Sequence, residues 1–392
     1  MQRDRTLLGV LTPPPPADDP AAPAPDPLLH WVRRVAGHGL TAGSQVPPRP
    51  PGVSGPSLVQ ALEAQGLTGL AELAVADGAL SLSRADAVSL QRVHERTCRA
   101  AVRLEQALVD LAERLDDAGV AVRVLKGPAL AHLAYPDPSL RPFGDIDVLI
   151  PPEQLEAARD LLASAGGRRR FPEPRAGYDR RFGKGFCVVV ARGVEIDVHR
   201  TLCPGPFGLA IDPRALFVDP EPFSLGGRRL EALAPPARFL HACYHAALGS
   251  ARPRLLALRD VAQTAPSDPA VVAEARRLAA AWQAEVVVAH AVAETAVALG
   301  WTPPDALRDW EPARGARRQR RWLAAYVGGG RSPLRQALYG LEAVDGWADR
   351  GRYLVTMSRP GPGGRRWRRA LSRPWRAVRR RGRAGPAGGA AR

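Results

Sequence analysis

The chain holds 392 residues with 45% hydrophobic content, enough for one large or two moderate folded units and too apolar for wholesale disorder. Its four cysteines, Cys98, Cys187, Cys203 and Cys243, are widely spaced without a CxxC pair, which argues against a disulfide framework or structural zinc and sets a reducing, cytoplasmic setting as the expectation. The formal charge is +16, yet eleven arginines and no acid fall within residues 361–392, so +11 of it belongs to that tail.

The first apolar run, Leu7 to Leu11, is too short for a signal peptide. The proline-heavy stretches 12–29 and 46–56 read as extended or disordered linker around a short helix near Trp31 to Val35, so 1–56 is expected to be mostly disordered. From Ser57 on, Leu58 with Leu62 and Leu70 with Leu73 predict two short amphipathic helices. The span 85–117, free of proline and glycine, predicts a long helix ended by Gly119. Residues 57–118 thus form a helical region expected to pack on a core that begins at residue 119.

The pattern then changes. VAVRVLKG (120–127) is a β-branched strand stopping at glycine, followed by a short helix ALAHLAY and a proline-rich turn. GDIDVLI (144–150) is a second strand, EQLEAARDLLASAG a helix, and FCVVVARGVEIDVHR two strands about a turn at Arg192 and Gly193. This alternation predicts a small α/β unit over 119–232. Past Pro235 helical spacing returns and predicts an all-helical domain over 233–356, while 357–392 leaves almost nothing to bury and reads as a basic disordered tail. The most apolar stretch, AEVVVAHAVAETAVALG, is broken by Glu285 and Glu294, so no transmembrane segment is expected.

Two details point to chemistry. Of 55 basic residues only Lys126 and Lys184 are lysine, a compact mobile ammonium in a chain that otherwise uses the rigid guanidinium fork. Period-2 geometry puts Asp145 and Asp147 on one face of GDIDVLI, and Glu195, Asp197 and His199 on one face of VEIDVHR. If the two strands are neighbours, Asp145, Asp147 and Asp197 form a hard-oxygen cluster suited to Mg²⁺ or Mn²⁺. Such crowded acids are costly without a cation, and by mutual repulsion Asp147→Asn would then slightly stabilise the metal-free protein. The turn after RVLKG brings Lys126 towards a phosphate, and Arg141 and Gly144 stand at the mouth of the acidic strand.

VLKGPAL, YPDPSLRPFGDIDVLI and VEIDVHRTL resemble, in order and spacing, the uncharacterised nucleotidyltransferase family of the polymerase-β-like superfamily. Its members carry a lysine-glycine turn, an Arg-Pro-x-x-Asp-x-Asp strand and a later strand ending Asp-x-His. The resemblance implies an α+β fold: an α/β nucleotidyltransferase core with a mixed, polymerase-β-like sheet, then an all-helical domain and a disordered basic tail. It implies catalytic and metal-binding roles for Asp145, Asp147 and Asp197, and places Gly127 beside Lys126 at the turn. The superfamily's glycine-serine turn is replaced here by Lys126, Gly127 and Pro128, so the contact its serine makes to phosphate falls to other groups. ARFLHACYHAAL with RLLALRDVA resembles the family's helical part and brings in His241, His245 and Asp260.

The implied reaction is metal-dependent transfer of a nucleoside monophosphate from a nucleoside triphosphate, ATP by expectation, to a hydroxyl with release of pyrophosphate. The acceptor stays open among a small molecule, a polypeptide hydroxyl and an RNA end. Lys126, Gly127, Arg141, Gly144, Lys184 and His199 are the expected nucleotide-binding groups, Lys184 alongside Arg180 and Arg181 in a basic loop. His199 either orients the acceptor, ligates metal or simply hydrogen-bonds a neighbouring carboxylate; His241 and His245, i and i+4 on one helix, are too few for a zinc site without further ligands and otherwise line an interdomain cleft, pack or serve the surface. A catalytically silent nucleotide- or RNA-binding protein of the same fold is the alternative, and a DxD glycosyltransferase would need a larger nucleotide-binding unit before its acids. The arginine tail, interleaved with Trp367 and Trp375, suits contact with a polyanion, an anionic membrane surface or nucleic acid, or else serves as a disordered solubilising tail.

Overall fold

Asp26 starts the first helix: its carboxylate accepts the N–H groups of Leu28 and Leu29, and α1 (Pro27–Ala36) follows with proline in its first turn. The computed structural model describes residues 26–41, 45–310, 312 and 316–358, so the basic stretch 361–392 and residues 12–25 lie outside the described residues. α1 buries Trp31, Val32, Val35 and Ala36, and the Trp31 indole donates to the Pro47 carbonyl at 2.9 Å. The short helix anticipated near Trp31 to Val35 is therefore longer and docked, and the packed body reaches upstream of residue 57. Its apolar spacing supplies a face that linker composition around it disguised.

α2 (Gly55–Gln65) and α3 (Thr68–Ala76) are the two anticipated short helices, and α4 (Arg84–Asp117) is the long one. Ser83 caps α4 by accepting the Asp86 N–H at 3.1 Å, and Gly119 at φ +66 turns the chain away. The α/β part then runs β1 (Arg123–Val124), α5 (Lys126–Ala134), β2 (Ile146–Leu149), α6 (Leu155–Ser164), β3 (Arg168–Arg169), α7 (Tyr178–Arg181), β4 (Gly185–Val189), β5 (Glu195–His199), α8 (Pro206–Leu209), β6 (Glu221–Leu225) and β7 (Arg228–Ala232). These strands make one mixed sheet in the order β3-β4-β5-β2-β1-β7-β6. β2 and β5 are parallel neighbours in a register that sets Asp147 opposite Asp197, while β4 is antiparallel to β5.

Two strands are shorter than their patterns predict. β1 pairs only through Arg123 and Val124, because Lys126 already opens α5. β2 begins at Ile146, so Asp145 precedes the pleat. The β6–β7 hairpin was not anticipated; its signal is Gly226-Gly227, both at positive φ, between apolar alternations that bury Phe223, Leu225, Leu230 and Ala232.

The helical part comprises α9 (Pro235–Leu248), α10 (Leu255–Thr264), α11 (Pro269–Ala281), α12 (Glu285–Leu299), α13 (Asp305–Arg308), α14 (Arg317–Leu323), α15 (Pro333–Ala343) and α16 (Trp347–Ser358). No helix among the described residues is long and apolar enough to cross a membrane. One apolar core joins α1 to α3 with α9 to α12, and a second, of Leu108, Leu111 and Leu115 with Ile146, Val148, Ile196 and Val198, lies between α4 and the sheet. The helices on either side of the α/β part in sequence are thus one packing unit in space.

Gly185 lets β4 approach β5. It sits at φ +149, and a Cβ there would lie 1.8 Å from the Val198 carbonyl oxygen. Gly185→Ala should cost roughly 2–4 kcal/mol in urea unfolding, from backbone strain and overpacking together. An unchanged unfolding midpoint would show that the strand edge has room the geometry denies.

Candidate functional site

The parallel pairing of β2 and β5 places Asp147 and Asp197 side by side, and His199 follows one pleat later on β5. Their ligand atoms, one carboxylate oxygen from each acid and one imidazole nitrogen, all lie within 4.8 Å of one another. His199 Nε2 stands 2.7 Å from Asp147 Oδ1 and 3.2 Å from Asp197 Oδ2. A proton on Nε2 is therefore shared between the two acids, and Nδ1 faces the Thr201 carbonyl at 3.4 Å. The expectation that His199 hydrogen-bonds a neighbouring carboxylate is the arrangement found, with both carboxylates as partners.

Both lysines of the chain converge here. Lys126 Nζ is 2.8 Å from Asp147 Oδ1, and Lys184 Nζ is 2.6 Å from Asp197 Oδ2. Lys126 is held at φ +35, an uncommon conformation for a residue with a side chain, at the sharp start of α5. Gly127 beside it is buried, and a Cβ there would sit 3.4 Å from the Phe143 ring. Lys184 is delivered by the close β4–β5 approach, and its carbonyl accepts the Arg200 N–H.

These charges set each other's protonation. Burial pushes the Asp147 carboxyl up, but the Lys126 ammonium and the His199 hydrogen bond outweigh it and hold the acid well below the usual range. Burial likewise opposes Asp197, which His199 and Lys184 nevertheless hold down. Lys184 is raised because Asp197 and Asp147 outweigh its desolvation. Asp145, though it reaches solvent, moves the other way: partial desolvation, then the Asp147 charge, raises it.

Asp145 stands at the exposed mouth, outside the Asp147–Asp197–His199 cluster, because it lies before the first paired residue of β2. Gly144 is exposed next to it, with open space around its Cβ position. Arg141 is placed differently from the rest. Its guanidinium grips Asp260 of α10 at 3.2 and 2.8 Å, deep in the protein, and the Tyr135 hydroxyl donates to the same carboxylate at 2.9 Å. Tyr135 has no sequence signal beyond an aromatic residue ending a short apolar helix, so this clamp between the α/β part and α10 was not anticipated. Burial lowers Arg141 but the Asp260 charge prevails and raises it.

His241 and His245 of α9 lie within electrostatic reach of Lys126 and Asp147. Burial and then the Lys126 ammonium depress both, His245 to about 3. His245 Nδ1 is buried without a hydrogen-bond partner among the described residues. Glu195, expected on the same face as Asp197, pairs with Arg170 away from the cluster.

The donor set fits a hard divalent cation. Two carboxylates on adjacent parallel strands supply anionic oxygens at close range, and the two lysine ammonium groups, with the His199 ring nitrogen against the acids, make their burial tolerable.

The profile of the uncharacterised nucleotidyltransferase family matches residues 53–296, more than half of the chain. No curated protein matches it. Among solved structures, an antigenic nucleotidyltransferase-like protein from Paracoccidioides brasiliensis is similar at 15% identity over 53% of this chain and 97% of that one, with a TM-score of 0.31. The antibiotic-resistance factor ANT(2'')-Ia is similar at 16% identity over 36% of this chain and 71% of that one, with a TM-score of 0.26.

Proposed function

The chain belongs to the uncharacterised nucleotidyltransferase family, and from that membership we propose that it transfers a nucleoside monophosphate from a triphosphate to a hydroxyl acceptor. The observation that carries the proposal is the juxtaposition of Asp147 and Asp197 on parallel strands with both lysines of the chain upon them. Mg²⁺ or Mn²⁺ held by Asp147 and Asp197, with Asp145 at the mouth, would supply charge neutralisation for the triphosphate.

The residues of the chain do the rest. Lys126, on the strained start of α5, exchanges Asp147 for the β- and γ-phosphates, since an ammonium gains more from a polyanion than from one carboxylate. Lys184 makes the same exchange from Asp197, and His199 keeps the two carboxylates in register. Asp197 then takes the acceptor proton as the hydroxyl oxygen bonds to the α-phosphorus. The bond from that phosphorus to its bridging oxygen breaks, and pyrophosphate departs towards Lys126. ATP is the proposed donor. The convergence of Asp147, Asp197 and His199 within reach of a single cation supports an enzyme over a silent nucleotide- or RNA-binding protein, which needs no such ligand set.

The test is incubation of the full chain with each α-labelled nucleoside triphosphate and Mg²⁺ or Mn²⁺, then mass analysis of the protein, small-molecule and RNA pools. A cation-dependent nucleotidyl adduct in one pool is expected. Nucleotide binding with no adduct in any pool would leave the silent binder in front. In the same assay Lys126→Ala should raise KM for the nucleotide and lower kcat, together by roughly 10²-fold in kcat/KM. Lys126→Arg should not rescue it, because a planar fork cannot occupy the place of a compact ammonium. Full activity of either variant would remove Lys126 from the phosphate site.

A further inference from the structure

α15 and α16 carry a band of apolar side chains turned to solvent. Leu334 and Leu338 of α15 are 70% and 57% exposed, and Trp347 and Leu354 of α16 are 85% and 49% exposed. Each set follows helical spacing, so each forms a stripe. Between the helices Leu341, Trp347 and Leu354 line an open groove of about 620 Å³, walled by Arg318, Glu342 and Arg350. The opposite faces of the same helices already anchor them: Ala343 and Tyr353 are buried, and the Tyr353 hydroxyl donates to the Ala337 carbonyl at 2.8 Å. The exposed band is therefore additional to the apolar contacts that hold the two helices in place.

The charge around the band is predominantly positive. Residues 316–358 hold eight arginines against three acids, and of those acids Glu342 is paired with Arg321 and Asp349 with Arg352. The sequence after α16 continues through eleven further arginines with no acid within 361–392, and with Trp367 and Trp375 among them.

We propose that this face docks on an anionic lipid bilayer, with Leu334, Leu338, Trp347 and Leu354 entering the interface and the flanking arginines meeting lipid phosphates. A membrane surface places the two phases that these groups need within a few ångströms of each other: apolar chains and anionic headgroups. Nucleic acid offers phosphates but no apolar phase for the leucines. A second copy of the chain would bring two arginine-rich faces together, at a Coulombic cost.

The experiment is co-sedimentation of the full chain with phosphatidylcholine vesicles, with and without phosphatidylglycerol. Binding is expected only to the anionic vesicles, weakening as salt is raised. Leu338→Glu combined with Leu354→Glu, both at exposed positions, should weaken binding on the order of tenfold or more with the arginine-rich sequence intact. Undiminished binding of that variant would overturn the proposal in favour of arginine electrostatics alone. Failure of the full chain to bind anionic vesicles would overturn it too, as would dimerisation through this band, or capture of an RNA homopolymer, in place of vesicle binding. If the double variant melts early, Trp347→Ala decides: weakened binding supports the docking face, and unchanged binding overturns it.

Discussion

Asp147→Asn should reduce nucleotidyl transfer by about 10³-fold or more, since it removes a charged oxygen ligand from the centre of the site. It should also destabilise the metal-free protein, by roughly 2–4 kcal/mol in urea unfolding near neutral pH, because it leaves cations facing a neutral amide in a buried place. Repulsion among crowded acids predicts the opposite sign when the strands are read as a pattern. The structure reverses it: Lys126 and His199 both contact Asp147 Oδ1, at 2.8 and 2.7 Å, so the carboxylate is over-compensated and its removal breaks two interactions.

The pH dependence has a definite sign. Asp147 and Asp197 have folded-state values depressed below those of the unfolded chain, so the stability they contribute is present above the unfolded value near ~4 and is lost as pH falls through the folded values. The stability gap between wild type and Asp147→Asn should thus be full at pH 7 and shrink as pH is lowered below about 4. A variant as stable as wild type at pH 7, or a gap that widens in acid, would show that Asp147 is not paired in solution.

Arg141→Ala should be the most damaging substitution for the fold, costing about 3–5 kcal/mol, because it strands a buried carboxylate. Asp260 is 1% exposed and, among the described residues, keeps only the Tyr135 hydroxyl as a side-chain hydrogen-bond partner once the two bonds from Arg141 are gone. Arg141→Met with Asp260→Leu should recover much of the loss, since apolar replacement of a whole buried pair is often neutral. Two readouts separate a clamp from a phosphate contact: unfolding free energy, and KM for the nucleotide in the folded protein. Retained stability with a raised KM would return Arg141 to the phosphate site that its place before the acidic strand suggested.

Short-range geometry is legible in the chain before it folds. The i, i+4 spacing within 85–117 specifies α4, period-2 alternation gives Asp197 and His199 a common face, and the rarity of lysine marks Lys126 and Lys184 with no fold in view. Which of these groups meet is a property of the folded molecule. The parallel register of β2 with β5 makes Asp147 and Asp197 opposites, while Asp145, one residue outside the paired strand, is left at the mouth. Arg141 and Asp260 lie 119 positions apart, and α1 docks against helices more than two hundred positions later, as Arg259 donating to the Ala36 carbonyl shows. Such partners carry no local signature, because an ion pair or an apolar contact depends on distance in space alone. Composition can state that a buried charge needs a counter-charge, but only the folded chain selects which one arrives.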